Sequence, residues 1–548
     1  MAATRHTERT SGEQQQLINT GTVLADAVRT TFGPNGMDKM LVGRNGTVLV
    51  TNDGARILDR MEIEDPVATT VARAASSQQV ATTDGTTRTV LLTGALLSAA
   101  ESLLAAGVHP TTIIDGFNTA TYSAREQLQS YGVYVDEDDR EMLKNVARTA
   151  VTGRWDDANT RRFAELTVGA LEAIEFDRSR LGIGGYAGGE LRDSTLIDGM
   201  CIDMEQSPAT AGGWGRDQTV RNARVAMVNT AISIDKPAAV EVVTLADSEQ
   251  ASRFREHEAA IRSEIVGTMC DSGVDVLFCQ KSIDEQIRNA LIQRGVLPVE
   301  RTRQDQFDAI TAMTGAKAVQ SVGQFAPTMA GHAGTVRHRT VGTTETVWVT
   351  DSPAAVHRFL LLRGGTPHVA AESERIIETC SDAVTLAVNE GRVVPGGGAS
   401  MVSLSRALRS KAKSISDREQ LVIEAYADAL ETLPQALAKN AGRDPMATLA
   451  ELKRRHAGGD KAVGVGPSGT PREMVAAGVV EPRSVIDRSL TIALEAASML
   501  LRVDEVLSAD TAGADGQSGS CNHGGRAEHS CTSQPGVDAG GYPWAISH

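Results

Sequence analysis

Thr82-Thr83-Asp84-Gly85-Thr86-Thr87 opens a segment whose apolar residues Leu92, Leu96, Ala99 and Leu103 recur at the spacing of one helix face, before Gly107 and Pro110 end it. A loop therefore feeds a helix amino terminus, where backbone N–H groups and two hydroxyls form an anion site suited to phosphate. Asp84 beside it repels an anion. The conflict resolves if Mg²⁺ bridges the carboxylate and the phosphate oxygens, because a hard cation takes oxygen ligands and keeps several waters. An N-capped helix without a ligand fits the same residues.

Two further glycine loops precede this one. From Gln14 to Phe32 the residues Leu17, Leu24, Val28 and Phe32 mark a helix face that runs into Thr31-Phe32-Gly33-Pro34-Asn35-Gly36. Met40-Leu41-Val42 and Thr47-Val48-Leu49-Val50 flank Gly43-Arg44-Asn45-Gly46, a hairpin signal, and Thr51-Asn52-Asp53-Gly54 closes the unit. Pro395-Gly396-Gly397-Gly398-Ala399-Ser400 is a second kind of cluster, open to two readings: close backbone approach to a flat ligand, or a hinge. No G-x-x-x-x-G-K-[ST] occurs, which disfavours a Walker-type ATPase.

The middle of the chain alternates short strands and helices. Strands are expected at Arg224 to Ile234, Val240 to Leu245, within Gly273 to Phe278, and at Val296 to Val299. Helices are expected after Asp247, with Gln250 completing a capping-box pattern, and from Ser282 to Arg294. Helices return at Ser373 to Glu390, Arg418 to Asn440, Pro445 to His456 and Arg488 to Arg502. Helical ends around an α/β middle point to a discontinuous helical domain carrying an insertion. Ser508 to His548 is Gly-, Ser- and Asp-rich without periodicity, which reads as a disordered tail.

At 548 residues and roughly 150 per domain, three or four domains are expected. The 54 basic and 69 acidic residues give a net charge of −15, which leaves no basic excess for nucleic acid. Ten Lys against 44 Arg, with 3% aromatics, imply an Arg- and acid-rich surface of the kind that suits concentrated salt. Met1 to Gln16 is polar, and the sequence has no unbroken apolar run of ~18 residues, so neither secretion nor membrane spanning is expected. Six Cys, at 201, 270, 279, 380, 521 and 531, are too sparse for a disulfide framework and suit a reducing cytoplasm. Cys521, His523, His529 and Cys531 form a ligand set able to hold Zn²⁺, without a common finger spacing.

Taken together, the segments resemble the group II chaperonins, the thermosome class of archaea. Thr31 to Leu41, Thr51-Asn52-Asp53-Gly54-Ala55, Asp84-Gly85-Thr86-Thr87, Pro395 to Ala399 and Asn440-Ala441-Gly442-Arg443-Asp444-Pro445 recur in family order and spacing, from about Gln14 to Ser508. The resemblance implies an α+β multidomain chaperonin fold. A mainly helical, discontinuous equatorial domain would span 1–138 and 391–507, and a small intermediate domain 139–206 and 360–390. An α/β apical insertion would span 207–359, with a helical protrusion at about 232–261 acting as a built-in lid that replaces a separate co-chaperonin. The tail, 508–548, lies outside the resemblance.

Function follows as an expectation: an ATP-dependent chaperone that encloses unfolded proteins in a homo- or hetero-oligomeric double ring in the cytoplasm. By resemblance, the loops holding Thr31, Phe32, Gly33 and Pro34, and Gly85, Thr86 and Thr87, would embrace the phosphates, and Asp84 would hold Mg²⁺. Gly397 and Gly398 would approach the nucleoside and Glu481 would take a ribose hydroxyl, while Asp53 would help orient the attacking water. Three departures bear on mechanism. Arg88 stands where the family has Thr, and Arg154 where it has a phosphate-sensing Lys; each could grip phosphate or sit in a salt bridge. Counting without gaps from Glu374-Arg375, or back from Gly396, the family's catalytic Asp falls on Thr379, which cannot accept a proton at neutral pH. Asp382 could take the role only through a gap inside a helix. The alternative function is therefore a subunit that binds ATP, completes a ring and hydrolyses poorly. A small-molecule kinase built on the same loops finds no acceptor-binding motif and leaves the insertion unexplained.

Overall fold

The computed structural model describes residues 2–43, 46, 48–61, 63, 65–204, 218–233 and 248–503, with side chains from residue 15 and, in the helix Ser248–Asp271, from residue 256. The chain divides into two units, Met1–Glu505 and Val506–His548. The second unit, with the Cys and His residues of the tail, lies outside the described residues, as do the expected strand Val240 to Leu245 and the capping residue Asp247.

Both ends of the chain build one helical core. Helices Ala2–Arg29, Pro66–Thr82, Thr86–Ala105 and Pro110–Ser130 pack with Ala399–Ala412, Arg418–Asn440 and Arg483–Leu501 around Leu92, Leu96, Phe117, Tyr426, Leu430 and Leu490. Each fully buried side chain of that size contributes roughly 1.5–3 kcal/mol. Phe117 meets Tyr426 edge-on at 5.7 Å, and the Thr121 hydroxyl donates to the Tyr426 oxygen at 2.8 Å, so the polar tip of Tyr426 is satisfied.

Thr86–Ala105 also corrects the reading from unbroken apolar runs. Over 20 residues its hydropathy of 1.3 makes it long and apolar enough to cross a membrane, because Ala, Gly and Thr interleave with Leu. Val90, Leu92, Leu96, Leu97 and Ala100 are fully buried in the helical core, which accounts for that composition.

The middle forms an eight-stranded mixed sheet in the order Leu181–Ala187, Arg358–Gly364, Thr195–Asp203, Thr344–Thr350, Gly331–Val341, Thr219–Val228, Val276–Cys279, Leu297–Val299. Its last three strands are parallel, with Val225 opposite Val276 and Val276 opposite Leu297. Val276–Cys279 is buried on both faces, as a short continuous apolar run between helices should be. A third cluster joins helices Arg140–Ala150, Asp157–Glu172 and Pro367–Glu390 through Leu143, Phe163, Leu171, Ile377 and Val384.

Two helices start earlier than periodicity indicated. Thr366 caps the helix that begins at Pro367, its hydroxyl oxygen accepting from Val369 N at 3.3 Å, and proline at the first position lacks the N–H that would go unpaired. Arg483–Leu501 begins directly after Pro482. The expected hairpin forms, Lys39–Val42 pairing with Val48–Thr51 and Met40 lying opposite Val50. Its Met40, Val42, Val48 and Val50 are exposed.

Candidate active site

One cavity of about 230 Å³ gathers residues from every segment singled out above: the loops at Thr31–Pro34, Asn52–Asp53 and Thr83–Arg88, the residues Arg154, Arg375 and Thr379, the Gly396–Gly398 turn, and Glu481. All fifteen candidate site residues therefore face a common space.

The first loop is held from far away. The Thr31 hydroxyl donates to Val28 O at 2.8 Å, ending the first helix, and Asn440 Nδ2 donates to Arg29 O at 2.9 Å and to Phe32 O at 2.8 Å. Asn440 thus pins Phe32 and Gly33 at the cavity edge, a role its position at the end of Arg418–Asn440 does not announce.

Asp53 caps the short helix Gly54–Arg60. Its Oδ1 accepts from Ala55 N at 2.9 Å and Arg56 N at 3.2 Å, and its Oδ2 meets Arg375 Nη1 at 2.6 Å. Arg375 also pairs with Glu372 at 2.7 Å, and Glu372 with Arg56 at 2.7 Å, so a chain of three ion pairs ties the Asp53 segment to Pro367–Glu390. Burial works against the Arg375 charge, but Glu372 and Asp53 more than offset it and hold the guanidinium above its usual range. Arg375 was only a counting landmark in the sequence; its partner Asp53 is 322 residues away.

The Asp84 loop is braced and strained. Gln78, fully buried, donates through Nε2 to Asp84 O at 2.9 Å and Val485 O at 3.2 Å. Thr83 has φ +55°, a left-handed conformation disfavoured for a β-branched residue. Gly85 follows at φ +80° and caps Thr86–Ala105 without a side-chain hydrogen bond, so the first amides of that helix have no capping side chain. Asp84 Oδ1 accepts from Gly85 N at 2.6 Å.

On the opposite wall, Gly397 has φ +59°, and a Cβ there would lie 2.8 Å from Val465 O, so only glycine fits the turn. The strand Arg392–Pro395 leading into it pairs with Val480–Pro482, which sets Glu481 opposite Val394. Arg88 and Glu481 form an ion pair across the wall. Burial pushes the Glu481 carboxyl up, opposed by Arg88.

Among the described residues the carboxylate closest to Arg154 is Glu372, at 3.6 Å, and burial, with Arg375 nearby, lowers the Arg154 pKa from the usual range. Thr379 lines the cavity at 9% exposure and donates its hydroxyl to Arg375 O at 3.2 Å. Asp382 is absent from the lining and pairs with Arg178 at 2.8 Å. Cys380, between them, is buried, its thiol pushed up to about 12 by desolvation.

The profile of the TCP-1/cpn60 chaperonin family matches residues 24–511. The thermosome subunit alpha of Halobacterium salinarum is 37% identical over 92% of this chain and 91% of its own length. The thermosome subunit of Methanopyrus kandleri is 38% identical over 90% and 92%, and thermosome subunit 1 of Haloferax volcanii 37% over 95% and 93%.

Proposed function

The chain belongs to the TCP-1/cpn60 chaperonin family, as a divergent group II chaperonin of the thermosome kind, and from that membership we propose that its cavity is an ATP site driving a folding chamber. The protein is a molecular chaperone; the proposal concerns how it works. Unfolded proteins are enclosed in a double ring built with copies of itself or with sibling subunits, in the cytoplasm of an archaeal cell. The relatives' names, subunits alpha and beta, support the ring, and the exposed apolar hairpin at Met40, Val42, Val48 and Val50 supplies a surface for a neighbour. The equatorial, intermediate and apical divisions at 1–138 with 391–507, 139–206 with 360–390, and 207–359 are proposed on the helical, three-helix and sheet cores. Of the proposed protrusion, about 232–261, residues 234–247 lie outside the described residues.

The observation that carries the ATP reading is convergence: three glycine loops, a glycine turn and a buried carboxylate share one cavity. The amides of Thr86–Ala105 and the loop at Gly33 would receive phosphate oxygens. Among the described residues no three His, Cys, Asp or Glu side chains cluster as a metal cage. Asp84, whose Oδ1 is taken by Gly85 N, fits instead a Mg²⁺ held by one carboxylate together with phosphate oxygens, the way this ion is commonly bound. Bound there, Mg²⁺ would neutralise phosphate charge. Equilibrium titration with Mg-ATP tests the reading; no binding by the full chain, alone or with siblings, would end it.

A second reading is favoured by Thr379. No carboxylate stands at that position of the cavity, Asp53 is engaged through both oxygens, and Asp382 is tied to Arg178. What the chain's own residues retain is binding and charge stabilisation, so hydrolysis is slow while nucleotide occupancy persists.

A further inference from the structure

We infer that Arg88 is a positioning residue of this cavity, whose guanidinium anchors the Glu481 carboxylate in the wall and thereby sets how the cavity reads the sugar of its ligand. The inference rests on the nucleotide reading above.

Arg88 is the third residue of Thr86–Ala105, and its side chain is 13% exposed; that of Glu481 is 10% exposed. Both line the cavity. The contact joins Arg88 Nη2 to Glu481 Oε2, and the other terminal nitrogen, Nη1, is buried without a hydrogen-bond partner among the described residues. A single-pronged pair leaves Glu481 Oε1 to accept a hydrogen bond. Glu481 is fixed by its backbone as well: Val480 N donates to Thr149 Oγ1 at 3.2 Å, and Val394 lies opposite Glu481 in the sheet. The carboxylate thus has a set direction, and Arg88 is the cation that holds it there.

The charged groups around Glu481 define what Arg88 does. Burial disfavours its ionised form first, Arg88 opposes that, and Asp84 across the cavity adds repulsion. From the helix Arg140–Ala150 the neutral Thr149 meets this strand, with Arg148 the charged residue beside it in that helix, and the strand Arg392–Pro395 contributes Val394. Glu390, at the end of Pro367–Glu390, accepts from Ser484 N at 3.0 Å, and Arg483 is the next charged residue along the chain. With Arg88 removed, the folded-state pKa of Glu481 rises further, so the carboxylate is lost as pH falls toward that value. A protonated carboxyl accepts a sugar hydroxyl far less well than a carboxylate does.

The test is calorimetric titration of the full chain with Mg-ATP, Mg-ADP, adenosine, and 2′- and 3′-deoxy-ATP, from about pH 6 to about pH 8.5. The natural protein should prefer ATP over one of the deoxy analogues by roughly tenfold or more, the worth of a hydrogen bond to a charged group. Arg88→Met should lose ATP affinity, by up to about tenfold, and that preference at a higher pH than the natural protein does. Arg88→Lys should return both toward the natural profile. Glu481→Gln should lose the preference at every pH, and Arg88→Met should add nothing to it. If Arg88→Met does not fold, the Arg88→Lys and Glu481→Gln pair decides. An Arg88→Met protein that loses ATP and ADP affinity but keeps both adenosine affinity and the sugar preference would make Arg88 a phosphate contact and overturn the inference. Unchanged profiles in every variant would overturn it too. Absence of ATP binding by the natural chain would instead remove the nucleotide reading, and this inference with it.

Discussion

Thr379→Asp should convert a slow site into a working one. The side chain is 9% exposed, lines the cavity, and spends its hydroxyl on Arg375 O at 3.2 Å, an i−4 contact of little value to the helix. Asp is close to Thr in size, and its carboxylate oxygens reach about one bond further from the helix. The surroundings accept the charge: the same cavity holds Arg154, a partly buried cation with Glu372 at 3.6 Å, whose pKa burial and Arg375 lower, so an anion in the cavity relieves it. Folding stability should therefore move by no more than about 1 kcal/mol. A positioned base is worth ~10²–10⁴ in rate, or about 3–5 kcal/mol of barrier. The assay is single-turnover phosphate release at saturating Mg-ATP, with Thr379→Asn as the uncharged control. Turnover should rise into that range with KM little altered, because the new group acts on water and not on bound nucleotide. A Thr379→Asp protein that binds ATP normally but stays within about threefold of the parent rate would refute the reasoning.

Asp382→Ala removes an ion pair with Arg178 whose side chains are about a third exposed, so stability should fall by no more than ~1 kcal/mol and phosphate release should not change. Abolished release would make Asp382 the base. Thr83→Gly relieves a left-handed β-branched residue, a strain of ~1–2 kcal/mol, against about 0.5–1 kcal/mol of added chain entropy in the unfolded state. A higher denaturant midpoint is expected, and a lower one contradicts it. Glu378 has its pKa raised by burial, with Arg178 opposing and Asp382 adding to the shift. Since the folded state then holds the proton more tightly, its charge is a penalty above the folded pKa and none below the unfolded one. Glu378→Gln should accordingly raise the thermal midpoint near pH 8 and leave it unmoved near pH 4; equal effects at both would exclude a charge effect. Val42→Glu with Val48→Glu, on the exposed hairpin, should shift the assembled particle toward monomer in sedimentation under Mg-ATP and high salt, whereas an intact ring would clear that surface of an assembly role.

The parts of the fold legible in the sequence are those with local signals. The hairpin at Lys39–Val42 and Val48–Thr51, the parallel strand Val276–Cys279 and the helix Arg418–Asn440 follow from periodicity and turn residues alone. The resemblance to the chaperonins likewise implied which loops meet in the cavity. What remained hidden is long-range: Arg375 closing on Asp53, Asn440 pinning Phe32, and Arg88 turning onto Glu481 join residues 322, 408 and 393 positions apart. No short window records such a pair. The strand order of the eight-stranded sheet was equally out of reach, because short apolar runs say that a strand is buried and not which neighbour it takes. The early start of Pro367–Glu390 leaves no legible stripe because in its first turns, Pro367 to Glu372, the one large apolar residue, Val369, is exposed.

A chaperonin subunit that holds ATP but turns it over slowly for want of a base at Thr379 should show this in the fate of its bound nucleotide. The natural chain, purified alone and with any sibling subunits, is mixed with Mg-ATP, separated from free nucleotide, and its bound nucleotide identified over time. ATP should be recovered, with conversion to ADP roughly 10²- to 10⁴-fold slower than in a family member carrying Asp at this position. Recovery of ADP at the rate of such a member would contradict it.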